Sequence, residues 1–164
     1  MTRKEILSKL YAEFRKQAVP RLHLYHATET DVMRDSERRK VRTSSEAYEI
    51  FKPFFQPSME HREVFYVMLM DTGLNVIGVV EVGQGGIAGV KVDAKLIFGA
   101  ALVAQAHVII AAHNHPSGQM RPSQSDMEIT KNLVDGGRAL EIEMRDHIIV
   151  CETGYYSFAD NGQL

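Results

Sequence analysis

The spacing of apolar positions changes along the chain, and each change marks an element. In residues 3–18, Ile6, Leu7, Leu10, Tyr11 and Phe14 recur at helical intervals and predict an amphipathic helix that Pro20 ends. Leu22 and Leu24 alternate with polar residues and predict a strand near 21–27. Residues 31–42 hold Arg34, Asp35, Glu37, Arg38, Arg39, Lys40 and Arg42. The interleaved acids and the absence of aromatics favour a solvated loop over a nucleic-acid contact. Thr43-Ser44-Ser45-Glu46 reads as a capping box, opening a helix through about Phe55 with Ala47, Ile50, Phe51 and Phe54 as its buried side. Docking of a partner is the alternative use of that face.

From Glu63 onward the pattern becomes β-rich. Val64–Met70 and Val76–Val82 flank Asp71-Thr72-Gly73-Leu74-Asn75, a hairpin signal. Gly83, Gly85, Gly86 and Gly89 then suggest a loop; no Lys-Ser/Thr follows, so the glycines match no phosphate-binding fingerprint. Asp93 can cap a helix over 94–105, where Ala94, Ala100, Ala101 and Ala104 suit close packing on a sheet. Val108–Ala112 is a continuous apolar run, as expected of a strand covered on both faces. A polar loop over 113–122 leads to a helix from Ser123 to about Gly136. Alternating Leu140, Ile142 and Met144, followed by Ile148–Val150, predict closing strands. The expected fold is α/β (α+β): a mixed sheet flanked by helices over residues 43–164, with residues 1–42 as an extension.

Composition narrows the chemistry. The chain has 164 residues, 45% apolar and 24% charged, enough to bury a core without covalent staples. Its single cysteine, Cys151, excludes both a disulfide framework and a zinc site of several thiolates, so a metal here must use His and carboxylate ligands. A net charge of −2 gives no global attraction to nucleic acid or anionic lipid. Charges at positions 3, 4, 5 and 9 prevent a signal-peptide core, and no apolar run reaches a membrane span, so a cytoplasmic protein is expected.

The stretch from His113 to Asp126 concentrates the candidate chemistry. His113 and His115 stand two apart at a strand end, so their rings leave on the same face. Pro116 and Gly118 turn the chain, Pro122-Ser123 opens a helix, and Asp126 falls in its first turn. A lone histidine or a lone Ser-x-x-Asp start is most often structural. Together they supply two imidazoles and a carboxylate, which suit Zn²⁺ and leave a fourth tetrahedral position for water. Such a water has its pKa lowered to about 7.

The pattern His113-x-His115-x7-Ser123-x-x-Asp126 resembles that of the JAMM (JAB1/MPN+) metalloproteases. The fuller His113-Asn114-His115-Pro116-Ser117-Gly118, with Asp146-His147-Ile148-Ile149 and Tyr156-Ser157-Phe158, is similar to the bacterial RadC branch from about Glu63 to the C-terminus, and more weakly back to Thr43. The resemblance implies a fold resembling cytidine deaminase, one zinc ion, and hydrolysis of peptide or isopeptide bonds. It implies a glutamate general base before the first core strand, which maps to Glu63, with Glu81 at the end of the second strand as runner-up. Ser123 is expected to donate to the oxyanion of the tetrahedral intermediate, a role compatible with capping its helix. RadC-like proteins carry a DNA-repair label by tradition, but residues 1–60 show no helix-hairpin-helix motif. A DNA-associated accessory protein and a metal-free binding module are the competing readings. A cytidine deaminase is excluded because that chemistry needs Pro-Cys-x-x-Cys. His107 and His147 are expected to be satisfied strand histidines, with help to the metal as the lesser reading. Ser117 is expected to be structural, and Cys151 an inert thiol.

Overall fold

The computed structural model describes residues 39–86 and 92–164. The helix expected over 3–18, the strand near 21–27, the charged residues up to Arg38, and Gly89 lie outside the described residues. The elements run α1 (Ser44–Phe55), β1 (Val64–Met70), β2 (Val76–Gln84), α2 (Ala94–Val103), β3 (Val108–Asn114), α3 (Gln124–Leu140), β4 (Glu143–Cys151) and β5 (Gly154–Ser157). The strands form one mixed sheet in the order β2-β1-β3-β4-β5. β3 and β4 are parallel, joined across α3, and the other neighbours are antiparallel. α1 covers one face; α2 and α3 cover the other. The α/β fold expected from the sequence is therefore the fold observed. Among the described residues no helix is long and apolar enough to cross a membrane.

Local chemistry sets the element boundaries. The Thr43 hydroxyl accepts from the Glu46 N–H at 3.2 Å while the Glu46 carboxylate accepts from the Thr43 N–H, closing the capping box of α1. Asp93 caps α2 by accepting from the Lys95 N–H at 2.9 Å. In the β1–β2 turn, Asp71 Oδ1 accepts from the Gly73 and Asn75 N–H groups, an Asx turn.

Several expectations are corrected. α1 buries Ala47, Tyr48, Phe51 and Phe55, whereas Phe54 is 43% exposed and Ile50 only partly covered. The buried stripe is thus displaced around the helix toward Tyr48, which stacks on Tyr155 of β5. Residues 39–41 are no solvated loop: Val76 N–H donates to Arg39 O, Val41 N–H donates to Leu74 O, and Val41 is buried. Pairing of the glycine segment runs through Gly86, because the Glu63 N–H donates to Gly86 O and the Gly85 N–H to Glu63 O. α3 continues past Gly136 to Leu140, which is helical and exposed rather than part of a strand. Gly136 and Gly137 mark close packing instead of a helix end. A Cβ at Gly136 would lie 2.7 Å from the Phe98 ring, and one at Gly137 2.3 Å from Ile142 O.

Candidate metal centre

Alternation along β3 decides what reaches the site. Ile109, Ala111 and His113 point to the α2/α3 face, with His113 stacked 5.9 Å from the Phe65 ring opposite it in β1. β3 runs on through Asn114, so His113 lies within a buried strand, and His115 follows just beyond. The chain then turns at Gly118, whose φ of 73° suits glycine. α3 begins at the Ser123 cap and carries Asp126 back over the strand end. The Ser123 N–H and hydroxyl donate to Asp126 Oδ2 at 2.7 and 2.6 Å, aiming the carboxylate so that Oδ1 faces His113 and Oδ2 faces His115.

His113, His115 and Asp126 each direct a donor atom into one point. The Nε2 atoms of the histidines are 2.9 Å apart, and they lie 3.1 and 3.4 Å from the Asp126 carboxylate oxygens. Donors on a tetrahedral ion at about 2.0–2.2 Å stand roughly 3.3 Å from one another. The spacing fits a small dication.

Hydrogen bonding fixes which nitrogens carry protons. Thr130 gives its one hydroxyl proton to Asp126 O at 2.6 Å, so it accepts from His147 Nδ1–H at 2.7 Å. Complete burial holds the His147 pKa well below the ordinary histidine value, so the ring is neutral and its Nε2 is bare. His113 Nδ1–H therefore donates to His147 Nε2 at 2.9 Å. His115 Nδ1 faces Gln119 O at 2.6 Å and must likewise be N–H. Both ligand rings, when neutral, thus present unprotonated Nε2 atoms beside a carboxylate, and only a cation or a proton resolves that convergence of lone pairs.

The electrostatics agree. Burial pushes the Asp126 carboxyl up, but the His113 and His115 imidazoles outweigh it and hold it well below the usual carboxylate range. Burial pulls the His115 ring down, but Asp126 and the Gln119 carbonyl outweigh it and raise the pKa.

The centre opens into a cleft of about 370 Å³ lined by polar Glu63, Ser117, Gln119, Arg121, Ser123 and Ser125 and by apolar Phe65, Val92 and Ile129. Half-buried Glu63 lines the same cleft as His113, His115 and Asp126. Continuing the β1–β3 register from Phe65–His113 places it across from His115. Glu81 is elsewhere. A bulge between Phe65 and Tyr66 sets Glu81 opposite Tyr66, whose hydroxyl donates to it at 3.0 Å. Without the bulge, the register of Phe65–Gly83 would bring Glu81 opposite Val67, on the metal face. Ser117 accepts from the Gln119 N–H within the turn. Cys151 is buried, and burial raises its thiol pKa. His107 is exposed at the strand start and is held through its backbone alone, bonded to Met70 and Glu143, contrary to expectation.

Four residues around the centre escaped sequence reasoning in part or whole. His147 belongs to the quoted Asp146-His147 motif, but only folding shows it against His113. Thr130 lies one turn beyond Asp126 and could have been found by helical spacing. Buried Asp146 accepts from Ser157 Oγ, Ala159 N–H and its neighbour's N–H, tying the Tyr156-Ser157-Phe158 segment to β4 and seating Phe158 on His147. Asn114, between the ligands, gave no directional signal.

A mixed sheet between helices, carrying a His-His-Asp cluster at the end of its central strand, defines a JAB-type domain. The RadC-like JAB domain model matches residues 41–163, and the chain belongs to that family. A UPF0758 protein of Flavobacterium johnsoniae is 40% identical over 124 residues, 76% of this chain and 53% of that protein. One from Symbiobacterium thermophilum is 41% identical over 113 residues, 68% of this chain and 48% of that protein. One from Thermotoga maritima is 39% identical over 103 residues, 63% and 46% respectively. The chain spans about half the length of these curated relatives.

Proposed function

We propose that this domain is a zinc-dependent hydrolase of peptide or isopeptide bonds, working in the cytoplasm. The observation that supports it most is the convergence of two bare imidazole nitrogens and one carboxylate oxygen beside a cleft that also holds Glu63. His113, His115 and Asp126 would hold the ion. Zn²⁺ in such a site supplies a Lewis acid and a water acidified to a pKa of about 7.

The chain's own groups supply the rest. Glu63 takes a proton from the attacking water and returns it to the leaving amine nitrogen as the C–N bond breaks. Ser123 donates to the oxygen of the attacked carbonyl. In doing so its hydroxyl leaves Asp126 Oδ2, which keeps the Ser123 N–H at 2.7 Å. Phe65, Val92 and Ile129 give the cleft an apolar wall that strengthens these charge interactions. His147 and Thr130 keep the His113 lone pair directed at the ion.

Elemental analysis of the dialysed chain, joined to a peptide and isopeptide cleavage screen, tests the reading. About one zinc per chain and hydrolysis abolished by chelator are expected, with zinc lost in His113→Ala and Asp126→Ala. Full zinc retention in both variants removes the ligand assignment. Zinc without any hydrolysis removes the peptidase.

A further inference from the structure

We propose that Asn114 is a positioning residue for Glu63; this rests on reading Glu63 as the general base. Strand alternation turns Asn114 away from the face on which its neighbours His113 and His115 hold the ion. The residue is 0% exposed, and its carboxamide is fully used. Oδ1 accepts from the Val64 N–H at 2.8 Å, while Nδ2 donates to Arg62 O at 2.9 Å, Met59 O at 3.1 Å and Ser58 O at 3.3 Å. The first two bonds grip the peptide groups immediately before and after Glu63. Glu63's own N–H donates to Gly86 O at 3.1 Å and its carbonyl accepts from Gly85 N–H at 2.8 Å. The backbone around the base is thus clamped from two sides, by the β2 end and by one side chain of β3.

The clamp comes from the residue covalently joined to both histidine ligands. Ligands and base therefore share one frame, although about fifty positions separate them in sequence. Only an amide meets the demand at this place. It must accept from one N–H and donate to carbonyls at the same time, whereas aspartate would set a carboxylate against three carbonyl oxygens. A strap serving only the turn after α1 needs the bonds to Ser58 and Met59, not those to Arg62 and Val64.

The test compares Glu63→Gln, Asn114→Ala, Asn114→Ser and the double variant Glu63→Gln/Asn114→Ala, each loaded with cobalt(II) in place of zinc. Cobalt content, the pH midpoint of the visible spectrum, amide exchange at Val64, and turnover of a peptide from the cleavage screen are measured. Glu63→Gln is expected to shift the midpoint. Asn114→Ala should release the Val64 amide, keep its metal, shift the midpoint the same way and slow turnover roughly 10–100-fold. The double variant should shift no further than Glu63→Gln alone. Asn114→Ser, which keeps one donor and one acceptor, should fall between wild type and alanine, and carries the comparison should alanine fail to fold. Faster exchange at Val64 with an unmoved midpoint in the Asn114 variants overturns the proposal. So does loss of metal, which would make Asn114 a support of the ligands. An unmoved midpoint in Glu63→Gln overturns the reading of Glu63 itself, and the positioning role with it.

Discussion

On one face of the sheet Met68, Ile110, Ala112 and Ile148 meet the aromatic rings of α1; on the other Phe65, Ala111 and His113 meet α2 and α3. Both faces are buried, yet they spend that burial differently. The α1 face is apolar at its centre, with buried Asn114 and Asp146 held by hydrogen bonds to backbone groups and to Ser157. Tyr66 meets Glu81 at the exposed rim, where burial and the carboxylate push the Tyr66 hydroxyl up to about 12. The α3 face is apolar beneath and carries a closed run of hydrogen bonds from His113 through His147 and Thr130 to Asp126 at its top. Residues adjacent in the same strand thus belong to a packing surface or to a centre according to parity. A buried polar group is tolerated on the second face because every buried side-chain N and O among the described residues has a partner.

The largest effect expected from this contrast is at Glu63. Glu63→Gln keeps shape but cannot accept a proton, and should slow hydrolysis roughly 10²–10⁴-fold with zinc content unchanged. Turnover of a screened peptide, measured beside metal analysis, checks it; normal turnover ends the general-base assignment.

On the opposite face, Phe51→Ala should cost about 3–5 kcal/mol of folding stability, since it empties a fully buried ring position. Denaturant melts give the cost, and the folded fraction should still bind zinc stoichiometrically. Zinc lost from folded protein would mean that the two faces are not separable.

His147→Phe preserves bulk and removes the acceptor of the His113 Nδ1–H. Zinc should bind roughly 10–100-fold more weakly, read by chelator competition. An unchanged affinity would show that the relay does not orient the ligand.

Acidity sharpens the contrast next. In the metal-free chain the His115 pKa is raised above 6.5, so its stabilising contribution is fully present below 6.5 and lost as the pH rises through the raised value. Asp126 is depressed, so its contribution is present above 3.8 and lost as the pH falls below that. Zinc must displace the His115 proton, and its affinity should drop about tenfold per pH unit below the raised value. Chelator competition across this range should show the slope; a flat profile would remove His115 as a ligand.

The smallest effect belongs to Glu81→Gln, which should leave turnover and zinc near wild type because Glu81 faces Tyr66. A loss matching that of Glu63→Gln would place the base on the wrong strand.

Short-range chemistry explains what could be read from the chain directly. The capping box at Thr43, the hairpin turn over 71–75, the strand run of Val108–Ala112 and the cluster of His113, His115 and Asp126 all depend on residues close to one another in sequence. Spacing and side-chain type suffice there, because strand alternation and the first turn of a helix are local rules. Which side of α1 is buried, whether Gly136 ends a helix or admits Phe98, and which histidine supports His113 depend on partners far along the chain. The choice between Glu63 and Glu81 is the sharpest such case. A single extra residue in β2 reverses the face of the residues beyond it as far as the second register shift at Leu69/Met70, and no periodicity in the sequence announces a bulge. Residue types and local periods therefore determined most of the elements and picked out the His113, His115 and Asp126 cluster, while strand register, decided only when β1 paired with both its neighbours, put Glu63 rather than Glu81 in the cleft beside it.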